Sequence, residues 1–191
     1  MTSPRAYGPT AKFFHWTTAG FLLAQCLVGW LMPDIKRGMS PGAAMNLHLS
    51  IGAVLLALVI IRYAWRLANP TPLDASGPPW QRSAAEAVHL LIYALLVAVM
   101  VTGWTYASMR GWSVTLLGIL PLPPLVAQGS ELGRAIGHLH GPLVWAFLAA
   151  IALHVLAALT HRVMFGDDVL RRMLPAAALV TSRRRSLSHT G

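Results

Sequence analysis

Apolar residues along this chain gather into long blocks; they do not alternate or mark one face of a helix. The first block runs roughly from Phe13 to Met32 and stops at Pro33. A second covers residues 47–65 and gives way to Arg66 and the turn-rich ANPTPLDASGPP. A third covers 87–108, and a fourth, 139–161, reads LHGPLVWAFLAAIALHVLAALTH. Each block is close to the roughly 20 residues that a helix needs to cross a hydrocarbon core about 30 Å thick. Lipid offers no partner to backbone N–H and C=O groups, so such blocks must be helical. The pattern predicts an all-α integral membrane protein, a bundle of four transmembrane helices. The stretch 109–137 between the third and fourth blocks is apolar in the middle (WSVTLLGILPLPPLV) but broken by prolines. It reads as an interfacial or re-entrant piece. Beyond the fourth block, Arg162–Pro175 reads as a short cationic amphipathic helix at the membrane surface. One membrane domain, 1–175, is followed by a disordered basic tail, 176–191.

Composition sharpens the class. The 191 residues are 55% hydrophobic and 11% charged, with a mean hydropathy of +0.57, whereas soluble domains are nearer 25% charged. The net charge of +9 does not indicate nucleic-acid binding, because the basic residues flank apolar blocks and form no single patch. They read as topology signals. With four spans, eleven basic residues fall on the side of the termini: Arg5, Lys12, Arg62, Arg66, Arg82, Arg162, Arg171, Arg172 and Arg183 to Arg185. Four fall opposite: Lys36, Arg37, Arg110 and Arg134. Both termini are therefore expected in the cytoplasm. Cys26, the one cysteine, reads as a small buried hydrophobe.

Histidines carry the candidate chemistry, since ionisable groups inside membrane segments are costly and by default functional. His140 and His154 share the fourth block, about 21 Å apart along a helix and within roughly 40° of one face. One helix that offers an imidazole near each side of the core suggests two stacked haems. Orientation pairs the rest by depth: His48 with His140 outside, His15 with His154 inside, with His89 competing for the inner site. Zinc or copper would need more than two ligands per level, whereas a porphyrin supplies the other four for haem. Gly52, Gly137 and Gly141 could make room for a flat macrocycle or for close helix packing. His89 could instead meet a propionate or a quinone carbonyl, and His161, near the cytoplasmic boundary, a propionate or headgroup. His138 and His189 read as incidental.

The segments FHWTTAG, NLHLSIG and AVHLLIYALL, the H-x13-H of the fourth block, NPTP after the second and HRVMFGDDVLRRMLP after the fourth together resemble the bacterial cytochrome b561 family. Within it they are most similar to the di-haem superoxide oxidase type. The resemblance covers roughly residues 8–175. It implies a multi-pass protein of the bacterial inner membrane with two b haems, and it puts His15, His48, His140 and His154 at the ligand positions, with His89 near the inner haem. It also implies a superoxide:ubiquinone oxidoreductase, which takes electrons from periplasmic superoxide and passes them to ubiquinone. Lys36, Arg37, Arg110 and Arg134 would then form an entrance that attracts the anionic substrate, and Arg110 would lead it or pair with a propionate. The competing expectation is a cytochrome b subunit that wires a periplasmic dehydrogenase or hydrogenase to the quinone pool. A third is a transporter that uses the histidines as proton or metal relays.

Overall fold

The computed structural model describes residues 8–33, 38–69, 79–164 and 173–174, without the side chains of Pro79 and Arg82. Helix α1 spans Pro9–Leu31, α2 Ala43–Ala68 and α3 Pro79–Met109. Two short strands follow, β1 at Thr115–Leu116 and β2 at Leu120–Pro121, then a short helix α4 at Glu131–Gly137 and the long α5 at His140–Met164. Each apolar block falls on a long helix, and α1 to α3 extend beyond theirs at the N-terminal end. Apolarity marks only what lipid would cover, while a helix continues until its caps end it. Pro9 sits in the first turn of α1, where its missing N–H is no loss. The Asn69 side chain donates back to the Trp65 carbonyl at the end of α2, at 2.9 Å.

Three of the described stretches, α2, α3 from Ser83, and Glu131–Met164, are long and apolar enough to cross a membrane. α1 is long enough, but His15, Thr17, Thr18 and Gln25 lower its apolarity. Its outward residues are nonetheless large and apolar, with Phe13, Leu23, Trp30 and Leu31 all well exposed. The exterior of the other helices is similar, with Trp145, Leu156 and Ile60 outside. In water such a surface would be an association hazard; against lipid it is solvation.

α1 packs on α2 and α3 on α5 as the closest pairs. The core between them is formed by Leu55, Val59, Leu96, Met100 and Phe147. The buried threonine and serine hydroxyls cost little because each donates to the carbonyl one turn back: Thr18 to Phe14, Thr102 to Ala98, Thr105 to Val101 and Ser108 to Trp104.

The proline-broken stretch is a folded cap over one end of the bundle. β1 and β2 pair antiparallel, Thr115 opposite Pro121, and Ser50 on α2 bonds Thr115 at 3.2 Å. Val114 is buried against Ala53 and Ala107. The Leu125 N–H donates to the Ser108 hydroxyl, and the Gly129 N–H to the Met109 carbonyl. The prolines that rule out a helix here suit a tight hairpin. The amphipathic helix expected at Arg162–Pro175 lies largely outside the described residues. Of it, Arg162–Met164 continue α5, and Met173 and Leu174 sit against α1. There the Trp16 indole N–H donates to the Met173 carbonyl at 2.8 Å, and Lys12 donates to that of Leu174 at 3.0 Å. The tail, 176–191, lies outside the described residues altogether.

Candidate haem-binding centre

The bundle sorts its histidines into two groups, one at each end. His48, in the second turn of α2, and His140, the first residue of α5, face each other beneath the hairpin cap with ring centres 6.4 Å apart. At the other end, His89 and His154 have ring centres 5.2 Å apart. His15 lies in the same electrostatic neighbourhood, together with Arg62. The sequence reading pairs His15 with His154 at this level; the imidazole in ring contact with His154 is that of His89.

His140 is placed by α3 and α4. Ser130 caps α4 by accepting from the Gly133 N–H, and Gly133 and Gly137 let α4 lie directly on α3. A Cβ on Gly133 would come within 3.0 Å of Met109, and one on Gly137 within 2.9 Å of Tyr106 Cβ. Gly137 therefore serves helix packing, not space for a macrocycle. α5 then starts with its imidazole on Gly103, where a Cβ would approach within 2.8 Å of Cε1. The His140 Nδ1–H donates to the Val99 carbonyl at 2.9 Å. A neutral imidazole with Nδ1 protonated presents the Nε2 lone pair, the arrangement that second-shell bonds impose on metal-bound histidines.

His48 is set between α1 and α2. The Gln25 amide donates to its Nε2 at 3.1 Å, and its buried Nδ1 has no partner among the described residues. Gly29 lies against the ring with little space to spare: a Cβ there would stand 3.3 Å from Cε1.

A cavity of about 370 Å³ lies between the two rings, within the range of small-ligand and cofactor sites. Its walls include Leu22, Gln25, Trp104, Trp145 and Phe147, with Val114 and Leu122 from the cap. Gly52 and Gly141 line it as well, and both are on the open side: nothing lies within 4 Å of a Cβ on Gly141, and only Gln25 approaches one on Gly52. Two imidazoles across one metal with bonds of about 2 Å would have ring centres roughly 6 Å apart, in keeping with the observed separation. Apolar walls, two opposed imidazoles and glycines beside the rings fit a haem. Among the described residues no three histidine, cysteine or acidic side chains converge as a bare-metal site.

The other expected residues are distributed as follows. Arg110, just past α3, lays its guanidinium over Trp112 at 4.7 Å and near Tyr106 at 5.9 Å. Arg134 pairs with Glu131 at 3.0 Å on the surface of α4. Both are at the end that holds His48 and His140, but neither lines the cavity. Lys36 and Arg37 lie outside the described residues. His161 is half-buried in the last turn of α5, and His138, which caps α4, is exposed. Arg62 differs from the sequence expectation of a flanking charge: it is half-buried within α2, over the Tyr93 ring at 5.7 Å, in the electrostatic neighbourhood of His15, His89 and His154.

A helical membrane bundle with opposed imidazoles at both ends defines a class, the membrane-embedded electron carriers that hold haem between their helices. The sequence pattern of the family described as prokaryotic cytochrome b561 matches residues 6–176. Cytochrome b561 homolog 2 of Escherichia coli (strain K12) is 31% identical over 174 residues, covering 90% of this chain and 93% of its own. Cytochrome b561 homolog 1 of the same organism is 29% identical, over 88% of this chain and 97% of its own. A probable superoxide oxidase CybB of Yersinia pestis is 28% identical, over 84% and 91%. The chain belongs to the prokaryotic cytochrome b561 family, and is thus an integral membrane protein of the electron-transfer type that carries b-type haem.

Proposed function

We propose that this protein is a di-haem cytochrome of the bacterial inner membrane that oxidises superoxide at the periplasmic face and passes the electrons to ubiquinone. α1 is its fourth span, and both termini are cytoplasmic. His48 and His140 hold the outer haem; His15 and His154 hold the inner one, with His89 beside it. The observation that carries this reading is the facing of His48 and His140 beside an apolar cavity, with a second imidazole pair, His89 and His154, at the other end of the bundle; the ligand role of His15 comes from the family resemblance. The similarity to a probable superoxide oxidase supports the choice of donor.

The haems would supply reversible one-electron chemistry; the chain's own residues set position and surroundings. Val99 fixes the His140 tautomer, and the hairpin cap with Trp104 and Trp145 keeps bulk water from the outer pair; His48 Nε2 would exchange the Gln25 amide for the iron. Each superoxide gives up one electron and leaves as dioxygen; two electrons and two protons convert ubiquinone to ubiquinol. The anionic donor is drawn to the outer end by Lys36, Arg37, Arg110 and Arg134. Arg110 leads, because it stands where α3 ends, with its guanidinium held over the Trp112 ring. The natural test is haem absorbance of the air-oxidised protein while superoxide is generated. The bands of reduced haem should grow, fail to grow with superoxide dismutase present, and fade on addition of ubiquinone. Haem that dithionite reduces but superoxide does not would transfer the reading to a cytochrome subunit of a larger dehydrogenase.

A further inference from the structure

Arg62 is a charge that no carboxylate among the described residues balances. Its guanidinium carbon lies 5.7 Å from the centre of the Tyr93 ring, and its charge acts on the inner histidines His15, His89 and His154. Only two carboxylates, Glu86 and Glu131, occur among the described residues, and both are exposed. The ion pair found among those residues joins Glu131 to Arg134 at the far end. Tyr93 stands one turn beyond His89 on α3, and its buried hydroxyl has no hydrogen-bond partner among the described residues. A half-buried cation and an orphaned hydroxyl side by side are both expensive in a membrane segment. Both offer protons and neither is matched by an acceptor among the described residues, so what would satisfy them together is an oxyanion. A guanidinium fork suits a carboxylate in particular.

We propose that Arg62 and Tyr93 form a two-donor site for a carboxylate, and that this carboxylate is a propionate of the haem at the inner histidines. The site rests on the di-haem reading. It gives α2, which contributes an axial ligand only at the outer end, a hold on the inner haem as well. A cation beside a haem stabilises the form carrying the extra electron, so Arg62 raises the potential of that haem.

The test is a potentiometric titration of haem absorbance in purified wild-type, Arg62→Gln, Arg62→Lys and Tyr93→Phe proteins, with haem-to-protein ratio and co-purifying lipid measured on the same samples. In the wild type two haems titrate. In Arg62→Gln one midpoint moves to lower potential and the other stays; Tyr93→Phe moves the same one in the same direction by less, and Arg62→Lys restores most of the shift. Tyr93→Phe keeps the ring and its packing, so it reports even if Arg62→Gln fails to assemble. Two haems whose midpoints are unmoved in both Tyr93→Phe and Arg62→Gln would overturn the proposal. Loss of an anionic phospholipid from Arg62→Gln with both midpoints unmoved would overturn it too, and would identify the oxyanion as a lipid phosphate. A wild type with a single haem would instead remove the di-haem reading beneath it.

Discussion

Gly103 shows how little space separates a haem-ready imidazole from an excluded one. A methyl group there would stand 2.8 Å from His140 Cε1, and overpacking of this kind costs about 1–3 kcal/mol. Gly103→Ala should therefore lose the outer haem while far-ultraviolet dichroism stays helical, and a haem assay on purified protein should show the content halved. His48→Ala and His140→Ala should give the same halving; unchanged haem content in either would refute the outer pairing. Arg134→Ala should change thermal stability by less than about 0.5 kcal/mol, since its partner is an exposed neighbour on the same short helix. The histidines are legible in the sequence because a membrane block makes each one conspicuous and helical periodicity gives its depth. Gln25, Val99, Gly29 and Gly103 are not. A backbone carbonyl has no sequence signature, and a glycine in an apolar block looks alike whether it faces a ring, a helix or lipid. Arg62 is hidden for a similar reason: one turn from Arg66, it counts as a flanking charge unless the rotation of α2 is known.

At the scale of elements, the blocks locate the long helices and their order, and the helix ends go beyond them because capping and length are set in water. The stretch between α3 and α5 is the least legible. Its prolines exclude a span, but strand pairing over two residues per strand depends on Ser50, which is remote in sequence. The cap is held to α3 by the Ser108 hydroxyl, which takes the Leu125 N–H while donating to Trp104. Ser108→Ala should cost about 0.5–1.5 kcal/mol by removing the hydrogen bond that this part-buried amide makes. Limited proteolysis should then cut within 111–129 faster than in the wild type, with the helices intact. Because Val114 and Leu122 also line the cavity, the same variant should let solvent reach the outer haem.

At the scale of the whole molecule, the uneven distribution of basic residues predicts the side on which the ends lie. A fluorescent-protein fusion to the C-terminus should light up in cells, whereas an alkaline phosphatase fusion there should be inactive. If superoxide is gathered by the charge of the outer end, its rate of reaction should fall as salt rises. Arg110→Gln should lower that rate about tenfold and flatten the salt dependence, as read by stopped-flow reduction of haem.

His140 and His154 stand on one continuous helix, about 21 Å apart by its rise per residue, against a hydrocarbon core of about 30 Å. Helices in a bundle can slide and tilt against one another, but two positions on the same helix keep their spacing. An electron passing between them would traverse roughly two-thirds of the dielectric and so of the membrane voltage, which is worth about 2.3 kcal/mol per charge per 100 mV. In a membrane negative inside, the inward step would run uphill by about 1.5 kcal/mol per 100 mV, more than a tenfold change in how the electron is shared. In sealed liposomes with a potassium diffusion potential, partially reduced protein should shift its reduction towards the outer haem as the interior becomes negative. The cytochrome would then be a voltmeter as well as a wire, drawing electrons inward most readily when the cell is least energised.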